Sequence, residues 1–162
     1  MYCGSVIELD DINIELIDLL QADGRMSFRE LGERVGLSAP AVTERVRKLE
    51  ENGVIIGYRA VVDYEAIGFP LLCVVRLNSS RGSTGVDSDI TQMPEVIEAL
   101  RVTGSESHVI RARVRDTHHL EDLLHGLWEH GDSVTNIATS SPVPHRPINI
   151  RRILTRGRRV RD

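Results

Sequence analysis

The sequence predicts an α+β protein, with an N-terminal three-helix domain of helix-turn-helix type followed by a ferredoxin-like βαββαβ domain. Three observations predict it. Apolar residues recur at helical spacing from Leu9 to Leu49. After Gly53 the spacing changes to that of extended chain. From Phe69 onward, strand-like and helix-like stretches follow in the order β-α-β-β-α-β. The chain of 162 residues thereby divides into residues 9–60, a linker at 61–68, residues 69–150 and an arginine-rich tail at 151–162.

Leu9, Ile12, Leu16, Leu19 and Leu20 form one face of a first helix. Asp10 or Asp11 caps its start and Gly24 stands at its end. Ser27 and Glu30 are spaced as a capping box, in which each side chain satisfies a backbone N–H at the start of a second helix. Phe28, Leu31 and Val35 line the inner face of that helix, which stops at Gly36. Ser38 caps a third helix and Pro40 fits its first turn, where no backbone donor is lost. That helix runs to about Asn52, with Val42, Val46 and Leu49 inward and Pro40, Thr43, Glu44, Arg47, Lys48 and Glu51 outward.

Residues 54–62 read as a short extended segment and 63–68 as a turn. Residues 69–78 form a strand candidate, and 79–85 a loop rich in serine and glycine. A short helix is expected at 86–93, strands at 96–103 and 109–114, and a turn between them at 104–108. A helix at 117–129 turns Leu120, Leu123, Leu124 and Leu127 inward, and a last strand follows at 134–140. Residues 141–150 are proline-rich and extended.

The net charge of −4 looks wrong for a nucleic-acid binder, but its distribution matters more. Residues 1–23 carry six acids and no base; residues 24–60 carry seven bases and five acids. Residues 61–150 are acidic again, and residues 151–162 carry six arginines and one acid. A phosphate feels charge within a screening length of about 10 Å, so the two basic segments are what it meets. The longest apolar run, 69–75, is far short of the ~20 residues a membrane-spanning helix needs. No secretory leader pattern opens the chain, and a cytoplasmic location is expected. Cys3 and Cys73 are too few for a disulfide-built fold, and Cys73 reads as a small core residue.

Two helices joined by the tight turn Gly36-Leu37-Ser38 form the arrangement that places a recognition helix in the major groove. A helix about 10–12 Å across fits that groove. Ser38 and Thr43 can donate and accept at base edges, Arg47 reaches guanine or phosphate, and Glu44 accepts from cytosine N4. Ala39 and Pro40 offer apolar contact to a thymine methyl. Arg25, Arg29, Lys48 and Arg59 flank the helix and suit phosphates. The candidate DNA-contacting set is Arg25, Ser27, Ser38, Ala39, Pro40, Thr43, Glu44, Arg47 and Lys48. Arg45 lies at the edge of the inner face, where Glu30 or Glu33 would be its partner. A three-helix bundle also serves as a plain interaction module, so the alternative is a metabolite-sensing or DNA-compacting oligomer without base-specific recognition.

Residues 9–140 resemble the leucine-responsive, Lrp/AsnC or feast/famine regulators. The resemblance rests on Leu9-Asp10, on Asp23-Gly24-Arg25 with Ser27, and on Glu30-Leu31. It continues through Arg34-Val35-Gly36-Leu37-Ser38, Glu44-Arg45-Val46-Arg47-Lys48-Leu49-Glu50 and Gly53-Val54-Ile55-Ile56-Gly57-Tyr58. It implies a transcriptional regulator that binds double-stranded DNA. It also implies dimers that pair their sheets and assemble into octamers, with small effectors, usually amino acids, bound between dimers. At one place the match departs. The family's turn between the second and third strands often reads Gly-Asp-x-Asp, whereas here it is Gly104-Ser105-Glu106-Ser107-His108. These five residues are the candidate effector-binding set. Serine is a neutral partner for an ammonium where aspartate is charged, so altered effector choice or weakened amino-acid binding is expected, with Glu106 as the substitute carboxylate.

His118, His119, His125 and His130 lie in or beside one helix, but no His-Glu-x-x-His pattern exists and no metal is expected. Residues 82–85 lack the lysine of a phosphate-binding loop. No spacing of serine, histidine and acid suggests a nucleophile, so enzyme activity is not expected. The basic tail either adds nonspecific phosphate contacts or is simply a solvated end, and the sequence does not choose between them.

Overall fold

A computed structural model describes residues 9–79, 83–143 and 146–153. The expectations for Cys3, for residues 80–82 and for the tail beyond 153 fall outside them. The chain forms two compact units. One holds residues 9–60 together with 146–153, and the other residues 61–79 and 83–143. The end of the stretch read as part of the sheet domain, 146–150, thus groups with the N-terminal helices. It leads into a helical turn at 150–153, where Arg151 lies 3.6 Å from Glu15.

The first unit is built from α1 (Asp11–Ala22), α2 (Phe28–Val35) and α3 (Ala39–Glu51). Asp10 caps α1 by accepting the backbone N–H of Asn13 at 2.7 Å. The C-cap of α1 is Asp23 in an extended conformation, not Gly24. The capping box is present at α2: the Glu30 N–H donates to Ser27 Oγ, and the Ser27 N–H donates to the Glu30 carboxylate. Gly36 ends α2 with φ +71°, a conformation that disfavours any Cβ. Leu16, Leu20, Leu31, Val42 and Val46 form the core. Phe28, expected inward, is 41% exposed at the first residue of α2. Residues 54–60 run as irregular chain without strand pairing. Ile55 packs on the helical core and the Tyr58 hydroxyl donates to Glu50 at 3.0 Å.

The second unit contains β1 (Leu71–Ser79), α4 (Ser83–Gln92), β2 (Val96–Arg101), β3 (His108–Val114), α5 (Thr117–Trp128) and β4 (Gly131–Ile137). The strands form one antiparallel sheet in the order β2-β3-β1-β4. This is the expected βαββαβ topology. Helices α4 and α5 cover one face, where Val86, Ile90, Leu120, Leu123 and Leu127 meet Cys73, Val75, Leu77, Ile110, Ala112 and Val114. Pairing places Leu100, Val109, Arg76 and Val134 in one row across the other face. Helix α4 starts three residues before its expected position, and β4 spans 131–137 rather than 134–140. The reason for the shift in β4 is its register on β1, which runs from Ser79 opposite Gly131 to Cys73 opposite Ile137. Among the described residues no helix is long and apolar enough to cross a membrane.

Candidate functional site

Helix α3 is held from behind and open in front. Val42, Val46 and Leu49 are buried against α1 and α2, while Pro40, Thr43, Glu44, Arg47 and Lys48 are exposed. Its angle is set by the turn from α2. A Cβ on Gly32 would stand 2.4 Å from the Leu37 carbonyl oxygen, so the chain before α3 crosses α2 at a distance only glycine permits. Its middle is tied to the start of α1 by Arg45, which donates to Asp10 at 2.7 Å and to the Asn13 side chain at 3.0 Å. Those are the partners of Arg45, rather than Glu30 or Glu33. The Arg45 hydrogen bond is also the main reason the Asp10 carboxyl lies below the usual carboxylate range.

The polar face of α3 has a definite charge arrangement. Arg47 Nε and Nη2 donate to the two oxygens of Glu44 at 3.0 and 2.7 Å, and Nη1 donates to Glu51. Lys48 lies 3.5 Å from Glu44. The Arg47 bond holds the Glu44 carboxyl below its ordinary value. Ser38 is the N-cap residue of α3, but its hydroxyl makes no cap hydrogen bond. The Thr43 hydroxyl donates back to the Ala39 carbonyl at 2.9 Å. Arg29 pairs with Glu33, and Arg25 and Ser27 sit at the exposed entry to α2. An open groove of about 470 Å³ runs between α1 and the Glu44–Lys48 flank of α3. The expected DNA-contacting residues therefore share one unit, with Ser38, Pro40, Thr43, Glu44, Arg47 and Lys48 on a single helix or at its cap.

The turn between β2 and β3 lies on the other unit. Gly104 takes φ +123° and lets the chain reverse. The Ser105 hydroxyl donates to Glu106 at 2.7 Å, which holds that carboxyl below the ordinary range, and Arg76 lies 3.7 Å from it. Ser107 is bound into the sheet edge. Its N–H donates to the Leu77 carbonyl at 2.8 Å, and its Oγ accepts from the Ser79 N–H at 3.0 Å.

His108, expected in the turn, is the first residue of β3 and only 2% exposed. Its Nδ1 lies 2.9 Å from Ser107 Oγ and its Nε2 lies 2.9 Å from Asp87 of α4. Arg101 also pairs with Asp87. Burial, with a smaller contribution from Arg101, pushes His108 below the usual histidine range. The ring thus spans from Ser107, whose hydroxyl also donates to the Leu77 carbonyl at 3.0 Å, to the Asp87 carboxylate. This line of serine, histidine and acid holds the turn rather than forming a nucleophile. The serine is engaged with backbone groups of β1, and the histidine has no open side. Asp87 stands 21 residues from His108, and nothing in their spacing marks them as partners.

Two further histidines tie neighbouring elements: His119 to Glu95 at 2.8 Å and His130 to Asp89 at 3.1 Å. No group of three or more potential metal ligands gathers among the described residues.

Comparison with known proteins matches two family models to the chain. Residues 9–50 match the AsnC-type helix-turn-helix domain, and residues 72–148 match the Lrp/AsnC ligand binding domain. The chain is 36% identical over 137 residues to an uncharacterized HTH-type transcriptional regulator, YezC, of Bacillus subtilis, covering 85% of this chain and 98% of that one. The solved structure of Bacillus subtilis LrpC superposes with a TM-score of 0.82 at 30% identity, covering 86% of this chain and 100% of that one. A feast or famine regulatory protein from Mycobacterium tuberculosis, solved in complex with L-methionine, superposes with a TM-score of 0.77 at 35% identity and the same coverage.

Proposed function

The chain belongs to the Lrp/AsnC family of helix-turn-helix transcriptional regulators, and on that premise we propose that it reads specific duplex DNA through α3 and answers to an amino acid at its sheet unit. One observation carries the DNA half. A single polar face, from Ser38 through Lys48, stands exposed on a helix whose other face is buried in the core of the unit. Ser38, Ala39, Pro40, Thr43, Glu44 and Arg47 meet base edges, while Arg25, Ser27 and Lys48 meet the sugar-phosphate backbone. Binding of DNA selected from a random pool, compared with scrambled DNA, tests this. Arg47→Ala should cost about 1–3 kcal/mol on the selected sequence and much less on the scrambled one. Equal affinity of the wild type for both would favour a DNA-compacting role without base readout.

The effector half rests on the ligand-binding domain match and on the L-methionine complex of a 35% identical relative. In this chain Glu106, with Gly104 and Ser105, offers the charge for an ammonium group, and Ser107 and His108 hold the turn in place. Calorimetric titration with a panel of amino acids tests it, with Glu106→Gln as the control; leucine bound as tightly as in typical relatives would contradict an altered choice. Two chains pair through the open sheet face, and dimers assemble further, to octamers. The effector acts by binding one assembly state more tightly than another. The protein works in the cytoplasm, where its DNA is.

A further inference from the structure

We propose that Glu51 is a positioning residue for base readout: by holding Arg47 along the axis of α3, it keeps that guanidinium off phosphates and reserves it for a base edge. The inference rests on α3 being the DNA-reading helix and adds a residue that lies outside the contacting set.

The geometry is specific. Arg47 has five N–H groups. Glu44 takes one on Nε and one on Nη2, and Glu51 takes one on Nη1. One N–H is left on each terminal nitrogen, the number that a guanine O6/N7 edge accepts. The two carboxylates come from opposite directions, one turn before Arg47 and one turn after it. With Lys48 at 3.5 Å from Glu44, the group of Glu44, Arg47, Lys48 and Glu51 carries no net charge.

Nonspecific binding is essentially all phosphate neutralisation. An arginine held between two carboxylates contributes little to it. In a base-specific complex, Glu51 stays behind the guanidinium and fixes its direction. Surface ion pairs of this kind are individually weak, so Glu51 acts by biasing where Arg47 points rather than by stabilising α3.

The test uses the full-length protein, DNA selected from a random pool by the wild type, and a scrambled duplex, across a range of salt. Glu51→Gln should raise affinity for scrambled DNA about threefold and steepen its salt slope by about 0.9, the value of one added phosphate contact. Affinity for the selected DNA should stay level or fall, so discrimination narrows. In an Arg47→Ala background, Glu51→Gln should leave discrimination unchanged, because the effect runs through Arg47. An equal rise on both DNAs would overturn the proposal, since that is repulsion alone. So would a change in discrimination that persists without Arg47, or no change on either DNA. If the wild type itself fails to discriminate, base readout by α3 fails, and the inference with it.

Discussion

Gly32 and Gly85 show how far one methyl group can differ in effect. At Gly32 a Cβ would meet the Leu37 carbonyl at 2.4 Å, and backbone on both sides must move. At Gly85, in α4, a Cβ meets nothing within 4 Å among the described residues. Gly32→Ala should therefore destabilise the helical unit by about 1–3 kcal/mol, as overpacking does. Gly85→Ala should stabilise the sheet unit by about 0.5–1 kcal/mol through helix propensity. Chemical denaturation of the two variants checks both signs. His108 gives a pH signature. It stays neutral when folded below the pH at which an unfolded histidine protonates, about 6.5. The unfolded chain then binds more protons, so stability falls as pH drops through that value and levels off below the folded one. Replacing it by His108→Asn should shrink the loss of Tm between about pH 8 and about pH 5.5; an unchanged loss would assign that loss to other groups. None of this was legible around residue 108, because the partner that decides it, Asp87, is brought in by the packing of α4 on the sheet.

At the scale of elements, the two capping serines separate stability from function. Ser27 completes its box with Glu30, so Ser27→Ala should cost about 1 kcal/mol of helical stability. Ser38 occupies the equivalent place in α3 without a cap bond. Ser38→Ala should leave the melting curve nearly unchanged while weakening binding to selected DNA, and a large loss of stability would show that it caps after all. The helices of the first unit were legible because their signals are local: Ser27 with Glu30, Pro40 in the first turn, glycine at 36. The partner of Arg45 was not, because Asp10 and Asn13 are more than thirty residues away and α1 must fold back to present them. The limits of β4 were likewise missed, since they depend on which residues of β1 lie opposite.

At the scale of the molecule, the uneven charge bears on DNA, and the open sheet face on assembly. Removing residues 151–162 takes away six arginines and one acid, so the salt slope of DNA binding should become shallower; an unchanged slope would show that the tail stays off phosphate. Adding a second positive charge to the row of Leu100, Val109, Arg76 and Val134, as in Leu100→Lys, should lower the mass of the proposed assembly measured by light scattering. The fold class, the three helices and the inner and outer faces of α3 are written in the order of residues alone, because periodicity and caps depend on residues within a turn or two of each other. Tertiary packing alone settled that His108 is buried on Asp87, that Arg45 turns to Asp10 and Asn13, and that residues 146–153 join the helical unit. The first two are choices of partner, made by side-chain geometry, and the third by where the chain returns; residue spacing specifies none of them.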